Sequence, residues 1–250
     1  MSNTQDIRIH LENYQAAILD MDGVITQSAS THRAAWKRMF DEFLKIRADE
    51  TGHRFEPFTE EEYYQYVDGK PRYEGAQSFL DSRDISISYG SPEDPPGKHT
   101  VCGLGNQKNR YFLQHLEQRG VESYASTQTF IRKLKNHEKA VAAISSSRNA
   151  KAVLDAADVR HLFSVVVDGQ DSEQHHLQGK PEPDIFLEAA TRLGVSPENA
   201  IVVEDALAGV QAGRAGGFGL VIGVNRGDQR SQLKEHGADI VVNDLSELRI

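Results

Sequence analysis

Two acids stand two positions apart in Asp20-Met21-Asp22-Gly23-Val24, directly after the apolar run AAIL. A carboxylate at a strand end can attack phosphorus or hold a metal, and a second one can move protons to and from a neighbouring oxygen. Gly23 permits the tight turn that would let both acids face the mouth of a sheet. Asp-x-Asp-Gly alone is weak, with about 0.05 chance matches expected in a chain this long. Three more short motifs share its setting. Ser145 ends AVAAIS and is followed by Ser146, Ser147, Arg148 and Asn149, giving a hydroxyl and backbone amides where a helix begins. Lys180 is followed by Pro-Glu-Pro-Asp, which makes it a fixed point charge suited to phosphate. Glu204 and Asp205 end the run IVVE and continue it, an adjacent acid pair that calls for a cation and offers hard oxygen ligands of the kind Mg²⁺ takes. Taken singly, each has an ordinary explanation as a cap, a surface lysine or a solvated acid pair. Taken in order, on successive strand ends, the four are a strong combined signal for a site that handles phosphate and a cation.

The elements that must position these residues follow from apolar patterning. Short runs with little polar alternation read as strands covered on both faces, at 16–20, 140–145, 163–167, 200–204, 219–224 and 239–242. Helices are expected between them at 127–137, 150–157, 183–193 and 207–215. Strands alternating with helices argue for a doubly wound parallel sheet, whose ligands gather at the carboxyl ends of the strands. From residue 47 to about 120 no buried strand is legible. A helix is expected before that stretch at 31–46 and others within it at 60–66, 72–80 and 106–119, with a Gly-, Pro- and Ser-rich surface loop over 89–99. The expected fold is therefore α/β, a Rossmann-like core in two parts, 1–30 and 123–250, interrupted by an α-helical insert over 31–122.

The net charge of -9 argues against a nucleic-acid surface. A single cysteine, Cys102, rules out an internal disulfide and fits a reducing compartment. The first fifteen residues lack the apolar stretch of a signal peptide, and no apolar run is long enough to span a bilayer. The expected setting is cytoplasmic, for a monomer without nucleic-acid or membrane partners.

With these four motifs in this order, the sequence resembles the haloacid dehalogenase superfamily of phosphotransferases over nearly its whole length. The resemblance implies Asp20 as nucleophile, Asp22 as general acid/base, and Ser145 and Lys180 on the phosphoryl group. It implies Mg²⁺ held by Asp20, the Asp22 backbone and Asp205, with Glu204 assisting. The insert corresponds to the family's helical cap.

Within that superfamily the chain is similar to the β-phosphoglucomutase branch, on residues beyond the four motifs. His32 and Trp36 match that branch's His and Trp, and Gly69-Lys70-Pro71-Arg72 matches its Gly-x-x-Arg substrate loop. Lys108-Asn109 matches a Lys-Asn pair of the cap, and Ser147, Arg148 and Asn149 match its outer phosphate-binding segment, with Ser146 beside them a further candidate for substrate binding. The resemblance implies a phosphosugar substrate, best read as β-glucose 1-phosphate converted to glucose 6-phosphate. A sugar-phosphate phosphatase uses the same core motifs, and a non-catalytic phosphometabolite sensor is a reading of another class. The chain departs from the branch at Gln27, where an acid is usual, at Ser28, where Thr is common, and at Arg148, where Lys is usual. Its cap is longer around 52–59 and 84–100, and segment 168–179 is extended, which could admit a different sugar phosphate. His175-His176 falls in that polar segment and reads as a loop.

Overall fold

A computed structural model describes residues 7–250. The described chain divides into two compact units, one made of residues 7–28 and 121–250, the other of 29–120.

The first unit is built on a six-stranded sheet in the order β4-β3-β2-β5-β6-β7, parallel throughout. The strands are β2 (Ala16–Asp20), β3 (Ala140–Ile144), β4 (Val165–Val167), β5 (Ala200–Glu204), β6 (Leu220–Val224) and β7 (Ile240–Val242). Every residue of β2, β5 and β6 is buried, which is what unalternated apolar strands require. The core packs Ile18, Ile144, Val202 and Val221 of the strands against Phe186, Ala190 and Val210 of the covering helices. The helices of this unit are α5 (Ala125–Asn136), α6 (Ala150–Ala156), α7 (Gly169–Gln174), α8 (Asp184–Leu193), α9 (Leu207–Ala215) and α10 (Arg230–Glu235).

From β2 the chain first winds outward through β3 and β4, then crosses back to place β5 on the other side of β2. The strand order therefore reverses beside β2, and a doubly wound sheet opens a crevice at such a point. In-register pairing puts Asp20 opposite Ile144 and Leu19 opposite Val203, so Asp20 and Glu204 close adjacent strands at the same level.

Two short strands and the helices α7 and α10 were not legible in the sequence. Strand β1 (Ile7–Arg8) pairs in parallel with β8 (Leu248–Arg249), each too short to carry a pattern. Segment 168–179, read as a polar extension, begins with helix α7, capped by Asp168.

The second unit is helical: α1 (Ala29–Thr51), α2 (Glu60–Glu62) running into a π turn at Tyr63–Val67, α3 (Arg72–Ser82) and α4 (Val101–Arg119). Its centre is aromatic, with Phe40, Phe58 and Phe79 in mutual contact at centroid distances of 4.1 to 4.9 Å. Helix α4 starts five residues earlier than its periodicity suggests. Thr100 caps it by accepting from the Gly103 amide at 3.0 Å. The helix-weakening Gly103 and Gly105 serve close approach, because a Cβ would meet the Lys98 carbonyl oxygen at 2.3 Å and the Tyr73 ring at 2.8 Å.

Loop 84–100 is ordered by its own side chains. The Asp94 carboxylate accepts from Lys98 and Thr100, both at 2.6 Å, and from the Ser91 amide at 3.1 Å. Those donors, Lys98 and Thr100 first, hold the Asp94 carboxyl down at about 2. Among the described residues no helix is long and apolar enough to cross a membrane.

Candidate active site

Asp20 is the last residue of β2, and the turn beyond it is wound tightly. The Ile25 and Thr26 amides both donate to the Met21 carbonyl at 2.9 Å, and the Gly23 amide donates to the Thr26 carbonyl at 2.9 Å. Gly23 takes φ +81°, and a Cβ there would meet Asp205 Oδ2 at 1.8 Å. Only glycine satisfies both the left-handed backbone and that close approach. The turn brings the Asp22 carboxylate onto the Ser28 hydroxyl, which is itself 2.7 Å from the Thr26 hydroxyl.

Lys180 reaches the same place from the loop before α8. Its Nζ donates to Asp20 Oδ1 at 2.6 Å and also to Glu204. All three side chains are nearly sealed from water, at 6%, 9% and 1% exposure respectively. Burial opposes the Lys180 ammonium, but Asp20 and Glu204 outweigh it and raise its pKa. Burial pushes the Asp20 carboxyl well above the usual carboxylate range; Lys180 opposes this, while the Glu204 and Asp22 charges add to it. Glu204 is steadied from behind, accepting from the Ala206 amide at 2.6 Å. Gly209 of α9 leaves room for it, since a Cβ there would meet Glu204 Oε1 at 1.7 Å.

Asp20, Glu204 and Asp205 each offer a carboxylate oxygen within 4.8 Å of the others. Three acids gathered near a single ammonium leave a deficit of positive charge that a cation would offset. Hard oxygen donors in that arrangement fit a Mg²⁺-sized cation.

Ser145 follows β3, its amide donating to the Val167 carbonyl at 3.0 Å. Its hydroxyl accepts from the Ser147 amide at 3.0 Å, and the Ser147 hydroxyl accepts from the Asn149 amide at 3.2 Å. Residues 145–149 thus form two successive side-chain-to-backbone turns. Ser146, Ser147, Arg148 and Asn149 share that segment.

The residues singled out in the helical unit form a cluster of their own. Lys108 Nζ lies 2.7 Å from His32 Nδ1 and 5.2 Å from the centre of the Trp36 ring. An ammonium can only donate, so Nδ1 is the acceptor and the imidazole proton sits on Nε2. Burial, then the Lys108 and Arg72 charges, hold His32 well below its usual pKa, in the neutral form. The His32 ring stacks on Phe112 at 4.0 Å. Arg72 donates to Asn109 Oδ1 at 2.9 Å, and Gly69 takes φ +73° in the turn that leads to it.

Two positioning contacts left no mark in the sequence. Arg226, beyond β6, donates to the Gly23 carbonyl at 2.6 Å and lies 3.6 Å over the Tyr124 ring. Gly209 is the other, since nothing in LAGVQ marks it as the residue beneath Glu204.

Residues 14–217 match the model of the haloacid dehalogenase-like hydrolase family. The chain belongs to that family of enzymes, in its β-phosphoglucomutase-like branch. It is 46% identical to a β-phosphoglucomutase of Mycobacterium bovis over 95% of this chain and 92% of that one. It is 30% identical to a fructose-1-phosphate phosphatase of Escherichia coli, over 84% of this chain and 96% of the other. A solved β-phosphoglucomutase of Clostridium difficile, 24% identical, shares the fold with a TM-score of 0.72 over 95% of this chain and 94% of that one.

Proposed function

We propose that this enzyme is a Mg²⁺-dependent phosphosugar mutase that carries a phosphoryl group on Asp20 and converts β-glucose 1-phosphate to glucose 6-phosphate. The observation that carries the reading is the 46% identity, across 95% of the chain, to a relative named β-phosphoglucomutase.

In this reading Asp20, the Asp22 backbone, Glu204 and Asp205 would hold Mg²⁺. The ion supplies positive charge against the phosphoryl oxygens when bound. Phosphorylated Asp20 gives its phosphoryl group to the 6-hydroxyl of β-glucose 1-phosphate, and Asp22 takes the hydroxyl proton. The bisphosphate turns round. A carboxylate oxygen of Asp20 then attacks the phosphorus on O1; the bond from phosphorus to O1 breaks, and Asp22 returns the proton to O1. Glucose 6-phosphate leaves and Asp20 is phosphorylated again. Ser145 and the Lys180 ammonium hold the transferring group. The Ser28 hydroxyl fixes the direction of the Asp22 carboxylate.

The phosphate that is not reacting is assigned to Ser146, Ser147, Arg148 and Asn149. His32, Trp36, Gly69, Arg72 and Lys108 are assigned to substrate binding. The reaction belongs in the cytoplasm, where phosphorylated sugars are retained.

A second reading, hydrolysis of a sugar phosphate, draws on the likeness to the fructose-1-phosphate phosphatase. There water takes the place of the sugar hydroxyl. Phosphorus NMR separates the two, with β-glucose 1-phosphate, Mg²⁺ and a trace of glucose 1,6-bisphosphate. Growth of the glucose 6-phosphate signal is expected. Inorganic phosphate without glucose 6-phosphate makes the enzyme a phosphatase.

A further inference from the structure

Helix α7 lies directly against segment 145–149 and holds its backbone. The Gly169 amide donates to the Ser147 carbonyl at 3.1 Å. The Gln170 side chain donates through Nε2 to the Arg148 carbonyl at 3.2 Å. Glu173, one turn further on, pairs with the Arg148 guanidinium at 3.4 Å. Contact is too close for any side chain at 169: a Cβ would meet the Ser146 carbonyl oxygen at 2.5 Å and the Arg148 amide nitrogen at 2.9 Å.

The helix is itself braced. Asp168, at the end of β4, is buried, and its Oδ1 accepts from the Gln170 and Asp171 amides at 2.9 and 3.1 Å. Its Oδ2 pairs at 3.0 Å with Lys151, which stands on α6 just past the segment. Asp171 accepts from Arg192 of α8 at 2.8 Å. So α7 is tied to the helix that follows Ser145 and to the helix that follows Lys180.

A carbonyl that accepts a bond from α7 points at α7. The two carbonyls engaged this way, of Ser147 and Arg148, are dipoles that would repel an anion if they faced it. The geometry points to Gly169 and Gln170 as positioning residues that set the selectivity of this enzyme for substrates with two phosphates over substrates with one, by turning the 147 and 148 carbonyls away from the non-reacting phosphate. The inference rests on the reading of Ser147, Arg148 and Asn149 as the holders of that phosphate. Both residues act through the backbone of the segment, not as ligands of the phosphate. The lengthened segment after β4 thereby acquires a function.

Phosphate release is measured from glucose 1,6-bisphosphate and from 4-nitrophenyl phosphate, which has no second phosphate to bind. Removing one hydrogen bond to the segment in Gln170→Ala is expected to raise KM for the bisphosphate roughly 3- to 10-fold. Its effect on KM for the aryl phosphate should be smaller by at least about threefold, and kcat on the two substrates should move together. Gly169→Ala should give the same split, larger. Should Gly169→Ala fail to fold, Gln170→Ala decides alone, because Gln170 is exposed. Equal losses on both substrates, or no loss on either, overturn the inference. Arg148→Ala separates the two levels. If it leaves bisphosphate binding intact, the reading of segment 146–149 falls and takes the inference with it. If it weakens the bisphosphate while neither α7 variant does, only the inference falls.

Discussion

Lys180 and Asp20 lie 160 positions apart in the chain and 2.6 Å apart in the folded enzyme. Their pairing joins the loop before α8 to the end of β2, and Glu204 closes the group from β5. Lys180→Ala would leave two buried carboxylates without their cation. A loss of about 3–5 kcal/mol is expected, the range for breaking a buried charge pair. Urea unfolding of the metal-free protein measures it. A loss below about 1 kcal/mol, the range of exposed pairs, would mean that water reaches the group.

Gly209→Ala places a methyl group where Glu204 Oε1 now stands. Glu204 must move, and the carboxylate set it shares with Asp20 and Asp205 moves with it. We expect the Mg²⁺ concentration for half-maximal activity to rise roughly 10-fold or more, as for residues that support metal ligands. Titration of activity with Mg²⁺ checks this. An unaltered titration would exclude Glu204 from the metal site.

Asp22→Ala tests a division of labour. The Asp22 carboxylate is turned onto Ser28, and its metal contact in the proposed mechanism comes from backbone. The rate should fall about 100-fold or more, the scale of general acid–base catalysis, with Mg²⁺ affinity nearly kept. Equal loss of both would make the side chain a primary ligand. Pre-steady-state measurement of phosphoryl transfer, beside the Mg²⁺ titration, distinguishes the two.

The pH dependence of stability should carry the mark of His32. Burial, with Lys108 and Arg72 nearby, keeps the folded imidazole neutral, while in the unfolded chain it takes a proton near pH 6.5. The unfolded state then binds more protons below that pH, so stability falls as pH drops. The slope is up to about 1.4 kcal/mol per pH unit. Comparing urea unfolding at pH 7.5 and 5.5 for the wild type and His32→Asn isolates it, since other groups cancel. An equal fall in both proteins would show His32 protonated in the folded state.

Much of the core was legible because burial on both faces leaves a plain signature. AAILD, AIVVE and LVIGV contain no alternation, and the acids that end the first two stand out against it. The residues that hold those acids left no such trace. Gly209 reads as one more small residue of a helix, and Arg226 as one more surface cation. Helix α7 was missed because its cap pairs Asp168 with Asp171, where the familiar pattern has Glu or Gln at the third position. The start of α4 was missed because Gly103 and Gly105 argue locally against helix, while tertiary approach demands them.

The chain leaves the core after Ser28 and rejoins it at Val121 along neighbouring paths. The Gln27 amide donates to the Glu122 carbonyl at 2.8 Å and the Tyr124 amide to the Ile25 carbonyl at 3.0 Å, with Thr26 and Ser123 paired antiparallel between them. In topological terms the whole helical unit is the loop of a hairpin. The entropy of closing a loop grows only with the logarithm of its length, so the sheet hardly registers how much chain is inserted there. Evolution is therefore free to lengthen, trim or exchange the insert without renegotiating the strands that end at Asp20, Ile144 and Glu204. Insert and strand ends become separately heritable parts of one polypeptide.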